Sequence, residues 1–442
     1  MNFLKKIYKR TEWYPVYNFQ DDGGHARSNI LFAVIAQAVV NGFSAGIFYT
    51  GLLVGYGINI VNIGIISIIP SLANVCAIFS PFILERFKRL RPILTVTRIL
   101  YYTLNILGVT LLPEIVKDEN ARLAGLIVIV LVTNVINALF SSGYTTMHMG
   151  YITPDVRMKY FSTTSLVSTL VTYLVLILAS FVTDSLEGQA QLNVIIILRY
   201  VAFAAALLDV YFLQKPKEPE YKKSGEKPKL INVFKLPFSN KKFILTMLIY
   251  GLYCYSANIP ASVTNTWWLE TVNISYLYIN VINFFYTFFI IFTTKYYSRM
   301  IARMGTFPML SLILLLHVPT FIAHAFVTHD NYIWLLTAVR LVQHLLGTGL
   351  SFTVSNLMYI NMPEEDKTNY ISFYVLAGNA CAFLGLTTGT GIVAAMGESA
   401  INVFGFAMSS VPVTILLEGV AFVGLAILTL ALLKHVKPEK EK

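Results

Sequence analysis

Charge is what this sequence has least of. Only 13% of its 442 residues are Asp, Glu, Lys or Arg and 56% are hydrophobic, whereas a soluble domain keeps roughly 25% of its residues charged. That excludes an ordinary soluble protein. Cysteine is equally scarce: Cys76, Cys254 and Cys381 fall in three different apolar runs, with no paired spacing suited to zinc or thiol redox chemistry. They read as packing residues. The strict polar–apolar alternation over about 10 positions that marks a membrane barrel strand is missing. No cleavable leader is expected. The first apolar run begins only at Ser28, is too long for a signal-peptide core and has no small-residue cleavage site after it, so it reads as a retained helix.

What is there is a series of apolar runs of bilayer length. A helix needs roughly 20 apolar residues to cross, and twelve runs meet that need. They lie near 28–49, 59–82, 92–113, 123–147, 161–183 and 192–214, then 243–263, 274–294, 308–328, 332–358, 371–397 and 410–434. The expected fold class is an all-α integral membrane protein whose twelve transmembrane helices form two pseudo-symmetric six-helix bundles. Its expected place is a cell membrane, of the prokaryotic cytoplasmic kind.

Basic residues set the orientation. With the N-terminus in the cytoplasm, 28 of the 33 Lys and Arg lie in inside segments, Lys117 and Arg122 lie outside, and Arg98, Arg199 and Arg340 fall within spans. So lopsided a distribution follows the positive-inside rule and puts both termini in the cytoplasm. The formal net charge of +10 then reflects topology and attraction to anionic lipid, with no nucleic-acid partner implied. Residues 215–242, rich in Lys and Pro, have the composition of an exposed linker. The expected organisation is an N-terminal cytoplasmic segment 1–27, a bundle 28–214, the basic linker 215–242, a second bundle 243–434 and a tail 435–442.

The two halves echo each other. "ITPDVRMKYFS" follows the fourth run and "NMPEEDKTNYIS" the tenth, with Pro154 and Pro363 separated by 209 positions; Pro92 and Pro308 differ by 216, and the starts of the first and seventh runs by 215. With small gaps these offsets agree. Parallel six-helix repeats joined by a linker are the architecture of one large transporter class.

The loop after the second run, "PFILERFKRLRPIL", packs Glu85, Arg86, Lys88, Arg89 and Arg91 between apolar stretches. A carboxylate at the cytoplasmic end of a helix sits by the negative end of its dipole and gains from a cation partner. Such a latch, broken as two halves rock, would bias which side is open. The bland reading is that the cations only enforce topology. The stretch resembles the loop signature of the major facilitator superfamily, with Glu85, Arg86, Phe87 and Arg89 matching in type and position. Pro81 and Lys88 stand where that pattern has glycines, and Leu90 where it has a second base, with Arg91 one place late. After the eighth run "SRMIARMG" keeps Arg299, Arg303 and Gly305 but has Ser298 instead of the acid. The resemblance implies a transporter, with Glu85, Arg86, Arg89 and Arg299 as gating-loop residues.

In the resembling family the first, fourth, seventh and tenth helices line the central cavity, and the midplane lies roughly 10 residues into each. Polar groups at that depth are expensive and face a cavity or a partner. The first run offers Gln37 and Asn41, which share a face. The fourth offers Asn134 and Asn137, with Ser141 and Tyr144 continuing the stripe. The seventh offers Tyr253, Tyr255 and Asn258 beside Pro260, and the tenth Arg340, Gln343 and His344. Together they form a candidate substrate site of amides, phenols and one cation. The alternative for some of them is interhelical hydrogen bonding, at about 0.6–2 kcal/mol per contact.

Other intramembrane groups read first as structural. Arg98 and Asp209 lie at equal depth and are expected to pair, and Arg199 is expected to snorkel from the outer end of its helix. His317 and His324 lack a third ligand, so no metal is expected, nor any other cofactor. Arg340 has two possible partners: an acidic group on the substrate, or Glu418 at a matching depth. The first makes the substrate an organic anion; the second leaves a largely neutral site for a polar solute. The substrate is expected to be small, with a proton or sodium ion as a coupling partner and the protein a monomer. A drug–proton antiporter is the alternative, weakened by the lack of an acid in the first run and of Gly and Pro in the fifth. A lipid-linked-substrate enzyme would need acids, His or Cys gathered at one interface, and a sensor would carry a soluble signalling domain. Neither feature is in the sequence, so no catalytic residue is expected.

Overall fold

The structure is a computed structural model that describes residues 13–14, 16–19, 21–218, 230–363, 365, 367–403 and 405–436. Parts of the expected N-terminal segment, linker and tail, namely 1–12, 219–229 and 437–442, lie outside the described residues. The chain divides into two compact units, residues 1–56 with 76–227 and residues 57–75 with 228–442.

The first unit contains α1 (Asp22–Ser44) and α2 (Gly46–Gly55), which meet at a break at Ala45. Helix α3 (Ile60–Asn74) belongs to the second unit, and the chain returns to the first through a 3-10 turn and α4 (Ser80–Leu84). Next come α5 (Arg91–Tyr102), a π-helical turn (Thr103–Gly108), α6 (Val109–Ile115), α7 (Glu119–Met149), α8 (Pro154–Asp184) and α9 (Gly188–Gln214). Within this unit α1 packs on α8 and α9, and α5 on α7.

The second unit continues with α10 (Leu230–Ser239), α11 (Lys241–Ala257), the short α12 (Thr264–Thr266) and a π-helical turn (Trp267–Thr271). Then follow α13 (Tyr276–Met304), α14 (Thr306–Ala325), α15 (Tyr332–Leu357) and α16 (Lys367–Met396). A hairpin of β1 (Ile401–Val403) and β2 (Phe406–Met408), antiparallel with Ile401 opposite Met408, leads into α17 (Ser410–Val436). Helix α14 packs on α15 and α17, α13 on α15, and α16 on α3 and α11.

Short polar side chains start the spans as caps should. Asp21, Asn59, Asp118, Asn240 and Ser275 each accept a hydrogen bond from the backbone N–H three residues on, which satisfies donors that a helix start leaves open. The Gly24 N–H, with the Asn18 amide, holds the Asp21 carboxyl below its ordinary range. Leu166, Leu170, Leu174 and Leu178 make an exposed stripe along α8, a face suited to hydrocarbon rather than water.

Among the described residues eleven helical segments are long and apolar enough to cross a membrane. The seventh expected span is the exception. Instead of one helix over 243–263, α11 stops at Ala257 and turns follow through Val263. Pro260 lacks an N–H and disfavours helical geometry in the residue before it. The break lets α16 come very close: a Cβ on Gly385 would stand 2.2 Å from the Tyr255 carbonyl oxygen, and one on Gly389 1.7 Å from that of Ile259. Only glycine fits there. The expected linker also departs from its composition. Leu230–Ser239 is helical, and it docks on α16 through Phe238 against Phe373 and a 3.2 Å hydrogen bond from the Tyr370 hydroxyl to the Leu236 carbonyl.

Candidate functional site

The first unit encloses a polar cavity of about 160 Å³ lined by α1, α5 and α7. Gln37 and Asn41 come from α1, Arg98, Tyr101 and Tyr102 from α5, and Asn137, Ser141 and Tyr144 from α7. The i,i+4 and i,i+3 spacings put each helix's set on one face. Among the described residues the side chains of Gln37, Asn41, Asn137, Ser141 and Tyr101 make no hydrogen bond, although all line this one space. Asn134 lies outside the lining, its amide given to the Val130 carbonyl of its own helix at 2.8 Å.

The floor of the cavity is fixed by an ion pair. Arg98 holds Asp209 of α9 with two parallel bonds, 2.5 and 2.9 Å long, and the Tyr102 hydroxyl donates to the same carboxylate at 2.8 Å. The guanidinium also covers the Tyr144 ring at 4.5 Å, and the Tyr144 hydroxyl donates to the Leu94 carbonyl. A buried charge needs such complete pairing. Tyr144 is therefore committed as packing and as cover for Arg98, and Tyr101 takes its place as the uncommitted phenol. Its signal in the sequence was its position three residues after Arg98.

Arg199 does not snorkel. It is 0% exposed and donates to Thr110 Oγ1, to the carbonyls of Asn105 and Ile106 in the π-helical turn, and to that of Ser44 at the break after α1. The break and the π-helical turn bring these carbonyls to the guanidinium.

In the second unit Arg340 of α15 donates to Gln343 at 3.1 Å and to Asn283 of α13 at 2.9 Å. Glu418 of α17 is 9% exposed and lies within electrostatic reach of Arg340. Among the described residues no ion pair joins them, so of the two possible partners of Arg340 the structure does not form the bridge to Glu418. Neutral amides take up the guanidinium instead. Tyr253 faces Phe422 at 6.3 Å and has Glu418 within electrostatic reach. Asn258 caps α11 with its amide on the Cys254 carbonyl. His344 lies beside Tyr286, ring centres 5.6 Å apart. His317 is bound to the Ile313 carbonyl, and His324 lies between Trp267 and Trp268.

The charged loop has a different centre from the one its motif suggests. Glu85 is half-buried at the end of α4, while Arg86, Arg89 and Arg299 are exposed. The residue that ties the loop down is Arg91. Its N–H binds Glu218 at 2.9 Å, and its guanidinium reaches the carbonyls of Gln214 and Pro216 and the Tyr151 hydroxyl. Tyr151 in turn donates to the Lys217 carbonyl. The base standing one place late in the sequence thus clamps α5 to the end of α9 and to the turn between α7 and α8.

Membrane-length helices with a polar cavity among them define, in class, a multi-pass membrane protein. The chain belongs to the Major Facilitator Superfamily, whose family profile matches residues 30–386. Solved structures similar to it include a mutant of the nucleoside transporter NupG, at 12% identity over 92% of this chain and 99% of that one with a TM-score of 0.72. A bacterial homologue of the iron transporter ferroportin in its inward-facing state is similar at 12% identity, 93% and 98% coverage and a TM-score of 0.69. The D-xylose-proton symporter is similar at 12% identity, 91% and 96% coverage and a TM-score of 0.65. At such identities the likeness is one of fold. Comparison with curated proteins gives no match. As a member of this superfamily the chain is a multi-pass secondary transporter of a small-molecule substrate.

Proposed function

We propose that the substrate is a small polar organic solute, rich in hydroxyl or carbonyl groups, carried by alternating access of two six-helix halves. The observation that carries this is the cavity of the first unit, where Gln37, Asn41, Tyr101, Asn137 and Ser141 present donors and acceptors that the protein leaves unused. Its volume of about 160 Å³ is below the ~300–1,000 Å³ typical of drug-sized ligands. That favours a small solute over the bulky substrates of a drug antiporter. Two of the similar structures are of transporters named for a nucleoside and for D-xylose, both hydroxyl-rich molecules. The reading includes a twelfth crossing made by α11 and its broken continuation, cytoplasmic termini, a monomer in a prokaryotic cytoplasmic membrane, and coupling to a proton or sodium ion. Glu85, with Arg86, Arg89 and Arg299, is the loop set whose contacts would change as the halves rock.

Binding to the purified protein tests the site. Monosaccharides and nucleosides are titrated against the wild type and against Asn137→Leu and Gln37→Leu, which leave a bound solute's polar groups unpaired. The expected result is saturable binding of one class, weakened about tenfold or more by each change, a loss of about 1.4 kcal/mol. Equal affinity in all three proteins would move the site out of this cavity.

A further inference from the structure

The second unit gathers buried donors that the solute cavity does not use. The guanidinium carbon of Arg340 lies 5.5 Å from the centre of the Trp268 ring. Trp268 stands in the π-helical turn after α12, with its ring 5.7 Å from that of His324 on α14. His344 follows Arg340 by one turn on α15, and both histidines lie within electrostatic reach of the guanidinium. Four chain segments therefore meet around one cation, since α13 adds Asn283 as its hydrogen-bond acceptor and Tyr286 as the ring beside His344.

Three polar atoms of this group have nothing to bond to. Trp268 Nε1, His324 Nε2 and His344 Nε2 are buried and have no hydrogen-bond partner among the described residues, and their residues are 3%, 6% and 6% exposed. Buried polar atoms are almost always paired, and an orphan calls for a ligand, an ion or a water. The chemistry of the donors narrows the choice. Indole and guanidinium nitrogens only donate, and a neutral imidazole Nε2 donates or accepts according to its tautomer. A water can therefore meet all three atoms, but it brings no charge to answer that of Arg340. A halide or a carboxylate needs donors alone, and the fixed positive charge of Arg340 favours it.

We infer that Trp268, His324, Arg340 and His344 form a binding site for a small monovalent anion, either an inorganic halide or the carboxylate of an organic solute. The inference stands apart from the solute cavity, because it rests on different residues in the other unit. Glu418 is the one carboxylate within α11 and α13–α17, and it lies within electrostatic reach of Arg340.

The test is equilibrium binding of radiolabelled chloride and of radiolabelled acetate, each alone, to the purified full-length protein in a buffer whose only other anion is a bulky sulfonate. Saturable binding of at least one anion is expected. Trp268→Phe keeps the ring over Arg340 and removes the N–H, so it should weaken binding about tenfold. The unfolding temperature of each variant without added anion separates lost binding from lost folding. Chloride binding that acetate does not displace identifies an inorganic co-ion; acetate binding identifies a carboxylate subsite. Binding of neither anion would mean a water-filled cluster and overturn the inference. So would binding that neither Trp268→Phe nor Arg340→Gln alters. Neither result touches the monosaccharide and nucleoside titrations, which read the other unit.

Discussion

Arg98 and Arg199 are both buried cations of the first unit, yet only one could be understood from sequence. Arg98 has a carboxylate at the same depth five positions from the end of the sixth run, and equal depth is visible in a linear chain. Arg199 is balanced by the carbonyls of Ser44, Asn105 and Ile106, and every residue has a carbonyl. Which ones it reaches depends on a helix break and a π turn that no residue type announces. Arg91 was hidden for a related reason, because its partners lie at the end of α9 rather than in its own motif. The Arg98–Asp209 pair carries a prediction at this scale. Arg98→Gln or Asp209→Asn alone leaves a buried charge uncompensated, at about 3–5 kcal/mol, while the double change should recover much of that loss. Thermal unfolding of the four proteins in detergent measures the cycle, and additive losses would mean that the two charges do not stabilise each other.

The crossing of α11 and α16 shows how elements depend on single residues. Gly378, Gly385 and Gly389 stand on α16 with no room for a Cβ, whereas Gly391 meets nothing within 4 Å. Glycines recurring along one apolar run permit close helix packing, and a proline such as Pro260 breaks a helix. What the sequence could not give was that the two features are one, the carbonyls of the broken segment being what the glycines admit. The helix α10 was missed because Lys and Pro around it dominated the average over residues 215–242. At Gly389 an added methyl must push on backbone, which cannot step aside as a side chain can. Gly389→Ala should therefore lower the yield of monodisperse protein and its unfolding temperature, and Gly391→Ala should change neither. Size-exclusion profiles and melting curves of the two variants decide this, and equal behaviour would refute the close crossing.

At the scale of the whole chain, composition carried the most. Apolar runs separated by basic loops specify a multi-span helical protein, because bilayer thickness and the positive-inside rule act on lengths and charges that can be counted. The repeat offsets near 209 to 216 residues pointed to a duplicated bundle, and residues 30–386 match the superfamily. The substrate was not legible in that way. Amides and hydroxyls at one depth serve equally as helix–helix contacts, and only the structure separates Asn134, bound to its own helix, from Asn137, which lines the cavity without a hydrogen bond. We propose that these uncommitted groups bind a small polar solute for transport. Counterflow in proteoliposomes tests it most directly, with vesicles preloaded with one unlabelled monosaccharide or nucleoside at a time and exchange of the labelled compound followed. Rapid exchange of one hydroxyl-rich class is expected, lost in Asn137→Leu protein that inserts normally. Exchange of a bulky lipophilic cation in its place, or solute exchange that Asn137→Leu leaves unchanged, would contradict it.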